Sequence, residues 1–170
     1  MDTNTTLAKD LLAYIDASPS PFHAVSETAR RLTSAGYRQL SEGDAWELEP
    51  GARFFVVRGD ASLAAFEVGN EAPEEAGFRL IGAHTDSPTL RIKPQPEVVK
   101  EGHRQLGVEV YGGALYSTWL DRDLSIAGRV VVGRKGGLLK LVRATWCACR
   151  MPCCASRTSP STSIAGSTIA

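Results

Sequence analysis

Apolar positions recur along this chain with two different periods. Over Thr3–Ala17, Leu7, Leu11, Leu12 and Ile15 fall three to four residues apart and predict a helix with one apolar face. Ser18-Pro19-Ser20-Pro21 ends that helix. Ser20 as N-cap, with Pro21 at the first helical position, predicts a second one. Val25, Ala29 and Leu32 make its buried stripe, and Gly36 makes its C-cap. Ser41–Trp46 reads as a short helical turn. The period then shortens to that of strands. Arg53–Arg58 holds Phe54, Phe55, Val56 and Val57, Gly59-Asp60 turns the chain, and Ser62–Val68 returns beside it.

The stretch Phe78–Pro88, FRLIGAHTDSP, reads as a buried strand, its apolar Phe78, Leu80 and Ile81 bounded by Gly82 and Pro88. Beyond Pro88 the pattern is all-β. Leu90–Lys93, Leu106–Tyr111, Leu115–Asp123, Ser125–Val132 and Leu138–Val142 follow at short intervals, with turns at Gly112-Gly113 and Gly133–Gly137. Pro94 and Pro96 mark a junction. The fold class expected is α/β. The two N-terminal helices would layer on strands near Phe54, Phe66 and Leu80, with a β-rich lobe starting at about residue 93.

Candidate chemistry sits at the end of the Phe78–Pro88 stretch. Residues two apart on a strand share a side, so His84 and Asp86 would project together. A neutral imidazole ligates zinc, and a carboxylate beside it accepts the other ring N–H, fixing the tautomer. On the tripeptide alone, a structural histidine at a strand end is the better reading. Other groups read as structure: His23 as a locally bonded residue in the first turn of its helix, His103 as loop surface, and Glu71, Glu74 and Glu75 as a solvated loop. Asp121 and Asp123 flank Arg122, a pattern of ion pairing at a turn or a subunit contact rather than a metal pair.

Composition narrows the partners. Nineteen basic and nineteen acidic residues cancel, so neither nucleic acid nor an anionic membrane is expected as a ligand. No apolar run approaches the roughly 20 residues that span a bilayer. MDTNTTLAKD lacks the basic start and apolar core of a signal peptide, and a cytoplasmic location is the expectation. The charge is unevenly placed, since no acidic residue follows Asp123 and all four cysteines lie in Cys147–Cys154. The spacing of Cys147, Cys149, Cys153 and Cys154 does not match the usual structural zinc pattern. From Ala144 onward the composition resembles a coding sequence translated out of frame, and residues 144–170 are expected to be disordered or poorly packed.

Three motifs taken in order, SPSPFHAV, HTDSP and STWLDRDLSIAGRV, resemble the aspartyl aminopeptidase family over roughly residues 7–143. The resemblance implies a cytosolic metallo-aminopeptidase, homo-oligomeric, with a two-zinc catalytic domain and a β-rich inserted dimerisation domain, acting on peptides with N-terminal Asp or Glu. It assigns His84 as a zinc ligand and Asp86 as the catalytic-site acid that orients it. Residues 1–92 would be the N-terminal part of the catalytic domain and 93–143 part of the dimerisation domain, leaving 144–170 as a tail foreign to the family. Family members are much longer. Their adjacent-Glu motif, bridging Asp and C-terminal His ligand lie downstream of everything here, and no His follows His103. The alternative expectation is therefore a catalytically incompetent fragment of such an enzyme.

Overall fold

The computed structural model describes residues 3–120, 124–132, 142–150, 162–164 and 168–169. The chain divides into two compact units, Met1–Thr85 and Asp86–Ala170.

The first unit opens with helices α1 (Thr3–Asp16) and α2 (Pro21–Ser34). Ser20 caps α2 in extended geometry with Pro21 following, as its sequence predicts. Its hydroxyl, however, meets His23 Nδ1 at 2.7 Å instead of bonding a backbone N–H. The far end closes as a Schellman motif. Gly36, at φ +86°, places its own N–H on the Thr33 carbonyl and that of Tyr37 on Leu32. Ala24 and Val25 are the buried residues of α2. The apolar face expected of α1 is formed but uncovered: Leu7, Leu11, Leu12 and Ile15 are each more than half exposed. Polar contacts join the two helices instead. Tyr14 Oη lies 2.9 Å from Thr28 Oγ1, and Arg31 reaches Asp10 Oδ2 at 2.7 Å. Arg31 also shares the Glu27 carboxylate with Arg30, and their hydrogen bonds hold the Glu27 pKa down at about 2.

Three strands complete this unit: β1 (Arg38–Leu40), β2 (Arg53–Arg58) and β3 (Ser62–Glu67). β1 runs parallel to β2, and β3 antiparallel. β2 is the central strand, and with α2 packed against it Phe54, Phe55 and Val56 are buried in succession. Phe66 of β3 lies between Phe54 and Trp46, at ring-centroid distances of 5.7 and 6.1 Å. Gly59 and Asp60 both take positive φ, the geometry of a type I′ hairpin turn.

The strand expected over Phe78–Pro88 is not formed. After a one-turn helix, α3 (Pro73–Ala76), the chain runs as irregular backbone to Pro88. Phe78, Leu80 and Ile81 are 80%, 90% and 100% exposed. Composition makes this segment a competent strand. A strand, though, needs a neighbour to take its backbone hydrogen bonds, and no described strand pairs with it.

The second unit contains β4 (Thr89–Lys100), β5 (His103–Tyr111), β6 (Ser125–Val132), β7 (Val142–Arg150), β8 (Thr162–Ile164) and β9 (Thr168–Ile169). They form one sheet in the order β5-β4-β9-β6-β7, with β8 also on β6. The junction expected at residue 93 falls inside β4, which is continuous. Pro94 and Pro96, lacking N–H donors, sit in a bulge where Lys93–Pro96 stand opposite Gly107 alone. Of the strand expected over Leu115–Asp123, residues 115–120 supply a 3₁₀ turn at Tyr116–Thr118 instead, and 121–123 lie outside the described residues. Part of the tail expected to be disordered or poorly packed is a strand: β7 pairs with β6 from Arg150 opposite Ser125 to Thr145 opposite Val130. An open ladder on β6 and β-prone Val142, Thr145 and Trp146 account for that pairing. The expected turn at Gly133–Gly137 and most of Leu138–Val142 lie outside the described residues.

Truncating Phe55 to Ala should destabilise the first unit by about 3–5 kcal/mol, read from urea denaturation. Glu27→Gln should also lower stability at neutral pH. The Glu27 carboxylate is held below its usual 4.5, so its contribution is full above that value and is lost as pH falls toward about 2. Wild type and variant should therefore converge in acid.

Candidate functional site

His84 lies at the end of the first unit and Asp86 begins the second. The backbone around His84 is fixed on one side by its neighbour. Thr85 donates its hydroxyl to the Ala61 carbonyl at 2.8 Å, tying the stretch to the turn between β2 and β3. The imidazole itself is exposed.

Asp86 is half-buried and held within its own unit. Tyr111, the last residue of β5, donates its hydroxyl to Asp86 Oδ2 at 2.6 Å. That bond, and then the carboxylate's negative charge, hold the Tyr111 phenol above its ordinary pKa. The Arg91 guanidinium stands 6.0 Å over the Tyr111 ring. The register explains the meeting: Thr89, at the start of β4, pairs with Tyr111, so the phenol stands where the chain enters the hairpin. The sequence reading passed over Tyr111. It marked only the end of an alternating strand, and its partner is 25 residues away.

The other candidates separate from this place. His23 is bonded locally to Ser20, as expected, and its burial lowers its pKa. His103 is exposed at the start of β5 rather than in a loop. Glu74 and Glu75 are exposed in the single turn of α3. Asp121 and Asp123, with Cys153 and Cys154, lie outside the described residues. Cys147 and Cys149 fall on the backbone of β7.

Comparison with known proteins identifies the lineage. The family described as "Aminopeptidase I zinc metalloprotease (M18)" matches residues 14–155, across both His84 and Asp86.

The chain belongs to the M18 family.

The resemblance carried by its three motifs is borne out at that level. The "Probable M18 family aminopeptidase 2" of Pseudomonas aeruginosa (strain PAO1) is 57% identical over 132 residues, which are 78% of this chain and 31% of that protein. Among solved structures, the Ape4 and Nbr1 complex matches with a TM-score of 0.76 and 42% identity, over 87% of this chain and 28% of that one. Yeast aminopeptidase 1 (Ape1) matches with a TM-score of 0.72 and 31% identity, over 86% of this chain and 34% of that one. This M18 chain thus spans about a third of the length of the relatives it matches.

A zinc ion is implied by the family. An imidazole with an acid nearby suits one ligand and its orienting partner, whereas a catalytic zinc takes about three protein ligands. Among the described residues no three His, Cys, Asp or Glu side chains gather to hold a metal. These residues fit one corner of such a site and do not by themselves complete it. No helix among the described residues is long and apolar enough to cross a membrane.

One pH response follows from His23. Its folded pKa lies below the ordinary 6.5, so the unfolded chain binds the extra proton first on acidification. Stability should be full above about 6.5 and should fall as pH drops through the folded value. His23→Gln should flatten this part of the pH–stability curve, measured by thermal melts between neutral and mildly acidic pH.

Proposed function

We propose that this chain is the N-terminal portion of a zinc metallo-aminopeptidase that releases N-terminal acidic residues, Asp or Glu, from peptides. In this reading His84 is a zinc ligand, and Asp86 is the acid that accepts its second ring N–H and orients it. The enzyme would hold two zinc ions per site, act in the cytoplasm and assemble as a homo-oligomer. One of the similar solved structures is described as the S. cerevisiae mApe1 dodecamer. Residues 1–92 would begin the catalytic domain, and 93–143 would belong to an inserted β-rich dimerisation domain. The observation that supports the reading is the family match over residues 14–155, a range that includes HTDSP.

This chain's own contribution to the chemistry is binding and orientation. An imidazole presents one nitrogen to a cation only when its proton sits on the other, and a neighbouring carboxylate enforces that choice. When bound, zinc would supply Lewis-acid polarisation of a carbonyl and a more acidic bound water. The base and the remaining ligands would come from sequence that these 170 residues do not contain.

A second reading is favoured by the donor inventory. With no group of three ligating side chains among the described residues, the isolated chain would be catalytically incompetent.

The test is zinc content by elemental analysis, together with release of the N-terminal residue from an aspartyl peptide. Equimolar zinc with turnover, both lost in His84→Ala, supports the enzyme reading for the chain alone. A metal-poor, inert chain is what the second reading expects. Under the enzyme reading His84→Ala should weaken zinc binding at least about tenfold, since it removes a ligand.

A further inference from the structure

We propose that residues 77–82 are an endoproteolytic site, and that the peptide bond joining Arg79 to Leu80 is the one a trypsin-like serine endopeptidase cuts. The proposal is independent of the aminopeptidase reading.

An endopeptidase takes its substrate as an extended strand, with main-chain hydrogen bonds giving affinity and pockets for the side chains giving specificity. Chain already committed to a helix or a ladder must first open before it can be bound that way. Arg79 needs no such opening. Residues 78–83 are irregular and exposed, and among the described residues their backbone makes no hydrogen bond to other backbone. Gly77 and Gly82 bracket the bond, and a Cβ added at either would meet nothing within 4 Å. An enclosing cleft therefore has room to close around the segment from both ends. Cleavage depends on the burial and bonding of the backbone, and here both are at their lowest.

The other basic residues of the first unit provide the contrast. Lys9 lies in α1, Arg30 and Arg31 in α2, Arg38 in β1, and Arg53 and Arg58 in β2. All five of these arginines are also engaged in ion pairs with carboxylates. Arg79 alone among them stands on irregular backbone. Its guanidinium is in no ion pair among the described residues. A trypsin-like specificity pocket ends in a carboxylate, which a guanidinium of this kind can enter without first leaving a partner. The residue that follows is Leu80, which supplies the backbone N–H that a proline would lack.

The reaction is a hydrolysis. Water adds across the bond, leaving Arg79 with a new carboxylate and Leu80 with a new amine. The fragment ending at Arg79 keeps α1, α2 and β1–β3, while HTDSP leaves on the fragment that begins at Leu80.

The experiment treats the full 170-residue chain with a trace of trypsin at neutral pH and follows intact masses over time. The readout is the first cut within residues 1–85. The fragment ending at Arg79 should appear at least about tenfold faster than any ending at Arg30, Arg31, Arg38, Arg53 or Arg58, since those sites are cut only from an opened state. In urea sufficient to unfold the chain this preference should vanish. Arg79→Gln should abolish the cut and leave the slower ones unchanged. Subtilisin, which tolerates many side chains, should cut both the unaltered chain and Arg79→Gln within residues 77–82. A first tryptic cut inside α1, α2, β1 or β2 overturns the proposal, as does subtilisin sparing residues 77–82. A preference for Arg79 that survives unfolding overturns it too, because local sequence rather than exposed backbone would then select the bond.

Discussion

The backbone ladder between neighbouring strands governs what is ordered in this chain. In the first unit β2 receives hydrogen bonds from β1 on one side and β3 on the other, and only there do three successive residues, Phe54, Phe55 and Val56, become buried. In the second unit the same constraint makes β4 continuous through Pro94 and Pro96, since β5 keeps pairing on both sides of the bulge. Where a ladder partner is lacking among the described residues, as along Phe78–Ile81, strong strand composition yields irregular backbone. Hydrophobicity selects which residues could be buried; pairing decides which of them are.

That constraint also explains which parts of the fold were legible in the sequence. The helices could be read because their signals are local. Ser20 and Pro21 start α2, and the left-handed Gly36 ends it, without help from distant residues. The Gly59-Asp60 turn is local in the same way. The stretch FRLIGA misled because its composition describes a strand while its pairing depends on residues elsewhere. Pro94 and Pro96 were less specific: a lost donor marks a boundary or a bulge equally well, and the register of β5 shows the bulge. The short β1 carried too little pattern to be seen at all.

The candidate site shows the same division. His84 and Asp86 were legible as a local motif, and the family match extends across them. Tyr111 was not, because a hydroxyl that meets a carboxylate across a hairpin leaves no periodic trace. The bond from Tyr111 to Asp86 is visible only once the register of β4 against β5 is known. The acid and the tyrosine that holds it lie in one unit, while the imidazole lies in the other.

The bare side chains of Phe78, Leu80 and Ile81 have a consequence for the life of the chain in solution. A ribbon of this kind is a nucleus for self-association, and its encounters with other copies rise with concentration. In a crowded cell the same ribbon is a recognition signal for chaperones and proteases. How long such a chain persists is then set by a race between capture by quality control and burial of those three side chains against another surface.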